Sequence, residues 1–172
     1  MTRSKSLSQA IRVSALFLAT VLPCFLLPGC NDDPGDEWMT ANPLEIRVTG
    51  REFYWHFLYS GPDLVLGTDD DVGHSKDLYV PSGRLVKLLI TSDDYIYFFR
   101  VPDYRLREAA IPDLVHEISF EPEKIGVSEL EVDPMCSARF IHQDGSMGRM
   151  HTLGETDFVG WLRKRQAGVE SP

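Results

Sequence analysis

The sequence predicts an all-β domain, a β-sandwich with a short C-terminal helix, and three observations carry this prediction. Alternating or fully apolar runs of strand length recur from residue 44 to residue 153. Turn residues separate these runs about every eight to twelve positions, which is the spacing of sandwich strands. No helical pattern falls between the runs, which argues against a parallel α/β sheet.

Eight strands are predicted, separated by turn signals such as Gly61-Pro62, Pro81-Ser82-Gly83 and Asp144-Gly145. The runs at 85–91 and 95–101 are rich in branched and aromatic residues, as buried strands are. We expect the strands to form two packed antiparallel sheets. In chain order the predicted strands are 44–49, 52–59, 77–80, 85–91, 95–101, 115–120, 128–132 and 149–153.

One helix is predicted over 156–165, because Phe158, Trp161 and Leu162 recur there with helical spacing. Thr156 is its candidate N-cap. We expect the apolar face of this helix to cover one edge of the sandwich. The side chains expected to face the core are those of Trp55, Leu88, Ile90, Ile96, Phe98 and Ile118.

The N-terminal segment predicts export. Residues 1–12 are positively charged, and the apolar run 13–27 would span only about 22 Å as a helix, short of a hydrocarbon core of about 30 Å. A secretory signal over 1–29 is therefore favoured over a spanning helix, with an uncleaved short anchor as the alternative. The sequence Leu27-Pro28-Gly29-Cys30 resembles a bacterial lipobox, which would place a lipid on Cys30.

These features predict a signal peptide at 1–29, a flexible tether at 30–43, one domain at 44–165 and a tail at 166–172. The domain would lie on the periplasmic or extracytoplasmic face of a bacterial membrane, held by a lipid anchor. Removing the leader leaves 143 of the 172 residues, with 14 Lys and Arg against 26 Asp and Glu, so the net charge falls from −9 to −12. Such acidity excludes nucleic acid as a partner and favours a basic protein.

The number and positions of the cysteines limit which disulfides and metal sites the domain can form. Cys24 lies in the leader and Cys30 would carry the lipid, so Cys136 is left without an internal disulfide partner. A lone exported cysteine is either buried and inert or a metal ligand. Asp69-Asp70-Asp71 is either a solvated turn or a calcium loop. No phosphate loop, haem-attachment motif or nucleophile elbow occurs, so no catalytic residue is predicted.

A series of motifs follows the chain in order: GREFYWHFLY at 50–59, LYVPSGR at 78–84 with the run 86–92, DYIYFFRVP at 94–102, AIP at 110–112, MHTL at 150–153, and the helical pairs DF and WL at 157–158 and 161–162. In this order they resemble the periplasmic domain of cytochrome c oxidase subunit II, over about 44–165. The resemblance implies a cupredoxin-like Greek-key sandwich, in agreement with the strand pattern.

In that family the domain holds a dinuclear copper A centre with two bridging cysteines, two histidines and a methionine. Tyr97 stands here where the family has its upstream histidine. Two alignments of the ligand loop stay open, and neither has two cysteines, so dinuclear copper A is not supported. The first alignment makes Cys136 the first cysteine, keeps Met147, and puts Ala138, Phe140 and Asp144 at the other ligand positions; the second makes Cys136 the second cysteine, replaces the first by Val132, and keeps His142 and Met147.

What remains is Cys136, His142 and Met147, whose spacing resembles the ligand loop of single-copper blue-copper proteins. Such a site would take one copper ion at most, and it requires a second histidine. The alternative is a buried cysteine, a surface histidine and a packed methionine. The candidates for the second histidine are His56, His74, His116 and His151.

The resemblance implies a membrane-anchored, subunit II-like domain accessory to respiratory electron transfer, at most a non-catalytic subunit of a cytochrome c oxidase-type complex. The implied partners are a haem–copper oxidase subunit or a basic c-type cytochrome. In the family an exposed aromatic residue at the place of Phe53 receives the electron; for the aromatic residues of this strand, Trp55 above all, the alternative is sandwich core. The alternative function is a metal-free binding or scaffold module that retains the sandwich.

Overall fold

The computed structural model of the chain describes residues 37–41, 43–133 and 137–168, and it confirms the predicted all-β fold. Ten strands precede one C-terminal helix, α1 (Glu155–Gln166), and short 3-10 helices lie at Glu37–Thr40, Pro102–Tyr104 and Ser137–Phe140. The strands are β1 (Leu44–Arg51), β2 (Tyr54–Tyr59), β3 (Val72–Ser75), β4 (Leu78–Pro81), β5 (Val86–Ser92), β6 (Tyr97–Val101), β7 (Leu106–Ala110), β8 (His116–Phe120), β9 (Gly126–Glu131) and β10 (Ser146–Leu153).

The sheets are mixed, which corrects the expectation of purely antiparallel sheets. A five-stranded sheet has the order β3-β2-β1-β5-β8, a three-stranded sheet has the order β4-β10-β9, and β6 pairs with β7. Strands β1 and β5 run parallel, and so do β4 and β10. The parallel pairs arise because the chain leaves the first sheet for β4 in the second before it returns as β5.

The core lies between the sheets, and most of its predicted members are where we expected them. Trp55, Leu88 and Ile90 are fully buried, and Ile118 is partly buried against them. Strand β6 is the exception, because Ile96 is 55% exposed and Phe98 is only partly buried. The buried side chains of β6 belong instead to Tyr97, Phe99 and Val101.

The opposite orientation of β6 has a physical reason. Its sequence is apolar at nearly every position, so period-2 alternation does not tell which face is inward. The hydroxyl of Tyr97 finds hydrogen-bond partners inside the protein, which removes the usual penalty for burying a tyrosine. On the other face, the guanidinium of Arg107 covers the ring of Phe98 at 4.6 Å.

Two strands were not predicted. Strand β3 is a short polar segment that pairs with β2, and β7 has the sequence LREAA and pairs with β6. Neither sequence has a strong strand propensity, so backbone pairing with a neighbour decides the conformation. Strand β3 lies between the predicted strands 52–59 and 77–80, and β7 lies between the predicted strands 95–101 and 115–120.

Helix α1 buries Phe158 and Leu162, and Trp161 stacks on Tyr79 with ring centroids 4.4 Å apart. Its N-cap is Gly154, whereas the candidate cap Thr156 lies inside the first turn. Acidic residues in the first turn and basic residues in the last complement the helix dipole. Among the described residues, no helix is both long and apolar enough to cross a bilayer.

The core extends into the segment for which the sequence predicts a tether. Trp38 and Met39, in the 3-10 helix Glu37–Thr40, are both buried. Arg84 is also buried, and its guanidinium donates to the carbonyl oxygens of Met39 and Ala41. The described part of the domain therefore begins at least seven residues before the predicted boundary at residue 44.

Candidate metal centre

The tight turn between β1 and β2 forms the base of the candidate site. Arg51 pairs with Tyr54, so Glu52 and Phe53 form a two-residue loop, and both have positive φ, 52° and 66°. That geometry suits the twist of a hairpin, but it is strained for residues other than glycine. Side chains from outside the turn must therefore hold it in place.

Three side chains hold this turn by its backbone. The amide of Glu52 donates to Asp94 Oδ2 at 2.7 Å, and the amide of Phe53 donates to the Tyr97 hydroxyl at 3.2 Å. His142 Nε2 lies 2.6 Å from the Phe53 carbonyl oxygen. Because a carbonyl oxygen only accepts, Nε2 is the donor in this bond, and in a neutral imidazole this leaves the lone pair on Nδ1.

Tyr97, at the position of the family's upstream histidine, is fully buried and engaged on both sides of its hydroxyl. The hydroxyl donates to Asp94 Oδ1 at 2.7 Å while it accepts from the Phe53 amide. Its ring lies over Gly50 so closely that any Cβ at that position would collide with it. Tyr97 therefore acts as a structural support of the turn.

Asp94 completes this arrangement, and the pKa of its carboxyl lies below the usual value. Its partial burial would raise that pKa, but hydrogen bonds from Tyr97 and from the amides of Glu52 and Tyr95 lower it by more. The charged form of Asp94 is therefore the one that the folded protein stabilises.

Replacing Asp94 with asparagine is expected to destabilise the protein in a pH-dependent way. Since the folded-state pKa is depressed, the stabilisation by Asp94 is complete above the unfolded pKa of about 3.9 and is lost as the pH falls through the folded value. Urea unfolding of wild type and Asp94→Asn should show a gap near neutral pH that shrinks below about pH 4. A gap that stays constant with pH would contradict this account.

The structure places two of the three candidate metal ligands. His142 is partly buried, with its ring edge-on to Tyr54 at 5.1 Å between centroids, and Met147 is 2% exposed in β10. Cys136 lies outside the described residues. The residues that the two loop alignments put at ligand positions differ in burial. Ala138 and Val132 are buried, Asp144 is exposed and Phe140 is 69% exposed.

The four candidates for a second histidine are spread over the domain. His74 and His151 contact Tyr79, His116 lies beside Glu108, and His56 lies on the outer face of β2. Within the ranges that the structure describes, no three His, Cys, Asp or Glu side chains are grouped closely enough to hold a metal ion.

Exposed apolar side chains lie in the segments that contact the β1–β2 turn. Phe53 is partly exposed and stacks on Tyr95, with ring centroids 5.3 Å apart. The exposure of most of these side chains could not be predicted from the sequence, because isolated exposed residues carry no periodic signal. These exposed residues, which we call the apolar patch, are Tyr54, Tyr95, Ile96, Phe140 and Ile141.

The acidic loop behaves as a structured turn. Asp71 accepts from the amides of Gly61 and Gly67, at 3.3 and 2.6 Å, and Asp70 accepts from Thr68 and from the amide of Asp63. The hydrogen bond from Thr68 lowers the pKa of Asp70. These carboxylates are therefore used by the backbone of their own loop.

Comparison with known proteins agrees with the fold and with the motif pattern. No protein-family model matches the chain. It is 30% identical over 134 residues to cytochrome c oxidase subunit 2 of Thermostichus vulcanus, covering 77% of this chain and 36% of that protein. It is 24% identical over 148 residues to an alternative cytochrome c oxidase subunit 2 of Bradyrhizobium diazoefficiens, covering 73% and 52%. The chain therefore spans about a third to a half of these relatives.

A solved structure shows the same fold. The periplasmic domain of subunit II of cytochrome oxidase from Bradyrhizobium japonicum superposes with a TM-score of 0.60 at 18% identity, covering 76% of this chain and 98% of that domain. Together, the sequence relatives and the shared fold identify the described part of the chain as a cytochrome c oxidase subunit II-like cupredoxin domain.

Proposed function

We propose that this domain is a membrane-anchored accessory to respiratory electron transfer whose copper A centre is degenerate and holds one copper ion at most. The observation that carries the proposal is Tyr97. It occupies the position of the family's upstream histidine, and its hydroxyl is already bonded to Asp94 and to the Phe53 amide. A phenol held in this way is a poor copper ligand.

The donor set of the loop supports the same proposal. A dinuclear centre needs two thiolates that each bridge both ions, and Cys136 is the one cysteine between residues 44 and 165. In the first alignment Phe140 replaces the second cysteine and Ala138 replaces the ligand residue between the two cysteines. In the second alignment Val132 replaces the first cysteine. Of these, Phe140 is 69% exposed and Ala138 is fully buried. These residues do not fit a dinuclear centre.

A single copper ion would use Cys136, His142 and Met147. His142 would offer Nδ1, because Nε2 donates to the Phe53 carbonyl. That bond would also orient the ring, as outer hydrogen bonds orient metal-binding histidines. Thiolate, imidazole and thioether suit copper, and a bound ion would supply one-electron redox chemistry.

Copper content of the purified full chain tests this proposal. After incubation with copper and removal of excess, we expect no more than one ion per chain by elemental analysis and no purple mixed-valence absorption. Any bound copper should be lost in Cys136→Ser and weakened in His142→Ala or Met147→Ala, since these remove its ligands. Two copper ions per chain would overturn the proposal.

The apolar patch and the acidity of the chain support a protein partner at this end of the domain. The net charge is −9, and exposed apolar side chains lie in the segments that contact the β1–β2 turn. A haem–copper oxidase subunit or a basic c-type cytochrome has the complementary chemistry, with Phe53 as the contact that passes the electron. Association with a basic c-type cytochrome should weaken as salt is raised, and an association that salt does not affect would contradict the charge argument.

We also propose that a signal peptide at 1–29 is removed and that Cys30 carries the lipid, so that the domain faces the periplasmic or extracytoplasmic side of a bacterial membrane. The periplasmic location of the structural relative supports this. Since one acyl chain binds a membrane only marginally, stable attachment requires a second chain. Residues 30–43 would link this anchor to the domain. Two residues of this segment, Trp38 and Met39, pack on the core.

Cys30→Ser is expected to release the protein from membranes or leave it unprocessed. Fractionation of cells that express wild type or Cys30→Ser, followed by detection of the domain in membrane and soluble fractions, measures this. Cys24→Ser is the matched control, because that cysteine lies inside the leader and is expected to be dispensable. Equal membrane retention of Cys30→Ser would show instead that 13–27 is an uncleaved anchor.

A metal-free binding or scaffold module is the second candidate, and one observation favours it. The bond from His142 to the Phe53 carbonyl already closes the loop on the β1–β2 turn. No metal is needed for that closure. Under this alternative the purified protein would bind no copper, and its thermal unfolding would not change when copper is added.

A further inference from the structure

A wide groove lies on the outer face of the five-stranded sheet. Its volume is about 770 Å³, within the range of small-molecule sites. Arg47, Thr49 and Arg51 line it from β1, and Arg165 reaches it from α1. We call this feature the basic groove; its further lining residues include His56, Leu58, Ser75, Thr91, Asp93 and Val115.

Two of its three arginines form no ion pair within the part of the chain that the structure describes. Arg51 contacts Asp93 at 3.7 Å, and both side chains are about half exposed. Arg47 and Arg165 form no ion pair with any residue of the described ranges, and Arg165 Nε is buried without a hydrogen-bond partner there. In a chain with a net charge of −9, two unpaired guanidinium groups in one groove are unexpected.

The neighbouring acidic loop forms no ion pair with Arg47 within the described residues. A Cβ on Gly67 of that loop would lie 3.6 Å from Arg47 Nη1, so the loop is adjacent to the guanidinium. However, Asp70 and Asp71 accept hydrogen bonds from within the loop. By contrast, Lys87 on β5 lies between Glu45 and Glu117 at 3.2 and 3.1 Å. Lys87 is thus held by two carboxylates, whereas the Arg47 guanidinium has no carboxylate in ion-pair contact among the described residues.

After burial, the charge of a groove arginine is the next cause that lowers the pKa of two histidines on the groove. Burial and then the charge of Arg51 lower the pKa of His56, against the opposing effects of Asp93 and Glu52. At the groove edge, burial and then Arg165 lower the pKa of His74; His151 acts in the same direction and Asp77 opposes it. An anion placed among these groups would raise the pKa of His56.

We propose that the basic groove binds a phosphate group. Guanidinium groups match phosphate with paired hydrogen bonds, and the hydroxyls of Thr49, Ser75 and Thr91 add donors on the same lining. A terminal phosphate offers three non-bridging acceptor oxygens to such a set, and a phosphodiester headgroup offers two. The phosphate comes from a small phosphorylated molecule or from an anionic lipid headgroup. This site is separate from the copper loop and does not depend on the proposed function.

The test uses the full chain in non-ionic detergent at low salt. In the first arm, inorganic pyrophosphate is titrated while calorimetry measures binding and NMR follows the pKa of His56, with sodium chloride of equal ionic strength as the reference. In the second arm, the micelles contain phosphatidylglycerol or phosphatidylcholine in place of pyrophosphate. The variants are Arg47→Gln, Arg165→Gln and, as a matched control, Lys164→Gln, an exposed charge next to Arg165 outside the groove.

We expect saturable binding and a raised His56 pKa, with affinity reduced about tenfold or more in Arg47→Gln and Arg165→Gln and unchanged in Lys164→Gln; a tenfold change corresponds to about 1.4 kcal/mol. Response to pyrophosphate identifies a small phosphorylated ligand, and response to phosphatidylglycerol alone identifies a lipid headgroup. Binding in neither arm would overturn the proposal. So would equal weakening in all three variants, which would indicate a general charge effect.

Discussion

Replacing Trp55 with alanine is expected to lower the free energy of unfolding by about 3–5 kcal/mol, the range for removal of a large buried aromatic side chain. Trp55 is fully buried in β2. Its ring packs edge-on against Phe99, with centroids 5.4 Å apart, and tilted against Tyr97, with centroids 5.7 Å apart. These neighbours are aromatic rings on another strand, so they cannot collapse fully into the space left behind. Urea or thermal unfolding of the two proteins measures the loss.

Two further variants make the Trp55 result specific. Trp55→Phe should lose less, because an aromatic ring remains and the buried Nε1, which has no hydrogen-bond partner in the described ranges, is removed. Trp161→Ala removes the same side chain from a partly exposed position on α1, where it stacks on Tyr79, and should also lose less. A Trp55→Ala protein as stable as wild type would contradict the assignment of Trp55 to the core.

The strands and the helix could be predicted because their patterns are local. Strand β5 alternates cleanly between buried and half-buried positions, and α1 buries Phe158 and Leu162 as its spacing indicates. In β6 the pattern fails, because apolar residues on both faces leave the orientation to tertiary contacts. The Tyr97 hydroxyl has two partners, Asp94 and the amide of Phe53 in the β1–β2 turn. Phe53 is 44 residues away in sequence, and no local pattern contains a contact of that separation.

The candidate ligands of the metal centre were chosen from residue type and spacing, and these do not determine how the side chains are arranged. Sequence spacing groups His142 with Met147, yet the structure gives His142 a hydrogen bond to the Phe53 carbonyl and buries Met147 in β10. The contact between His142 and Phe53 joins residues 89 positions apart. Contacts of that separation depend on sheet topology, which motif spacing does not encode.

Arg84→Ala is expected to cost about 2–4 kcal/mol, because it removes the shared donor of a buried cluster. The Arg84 side chain is 7% exposed, and it donates to the carbonyls of Met39 and Ala41 and to Glu155 Oε1 at 3.1 Å. Glu155 is 42% exposed and can be hydrated after the change. Most of the loss therefore comes from the carbonyl oxygens of 37–41, which would be left without their donor.

The matched control for Arg84 is Arg100→Ala. Arg100 pairs with Glu131 at 3.3 Å, but both side chains are a third or more exposed, so the expected loss is below about 1 kcal/mol. Unfolding measurements compare the two variants, and limited proteolysis gives a second readout. Because Arg84 holds 37–41 on the core beside α1, Arg84→Ala should make this segment cleavable under conditions that leave the sandwich intact. If Arg84→Ala and Arg100→Ala lose equal stability and 37–41 stays protected, then burial of Trp38 and Met39 alone holds the segment in place.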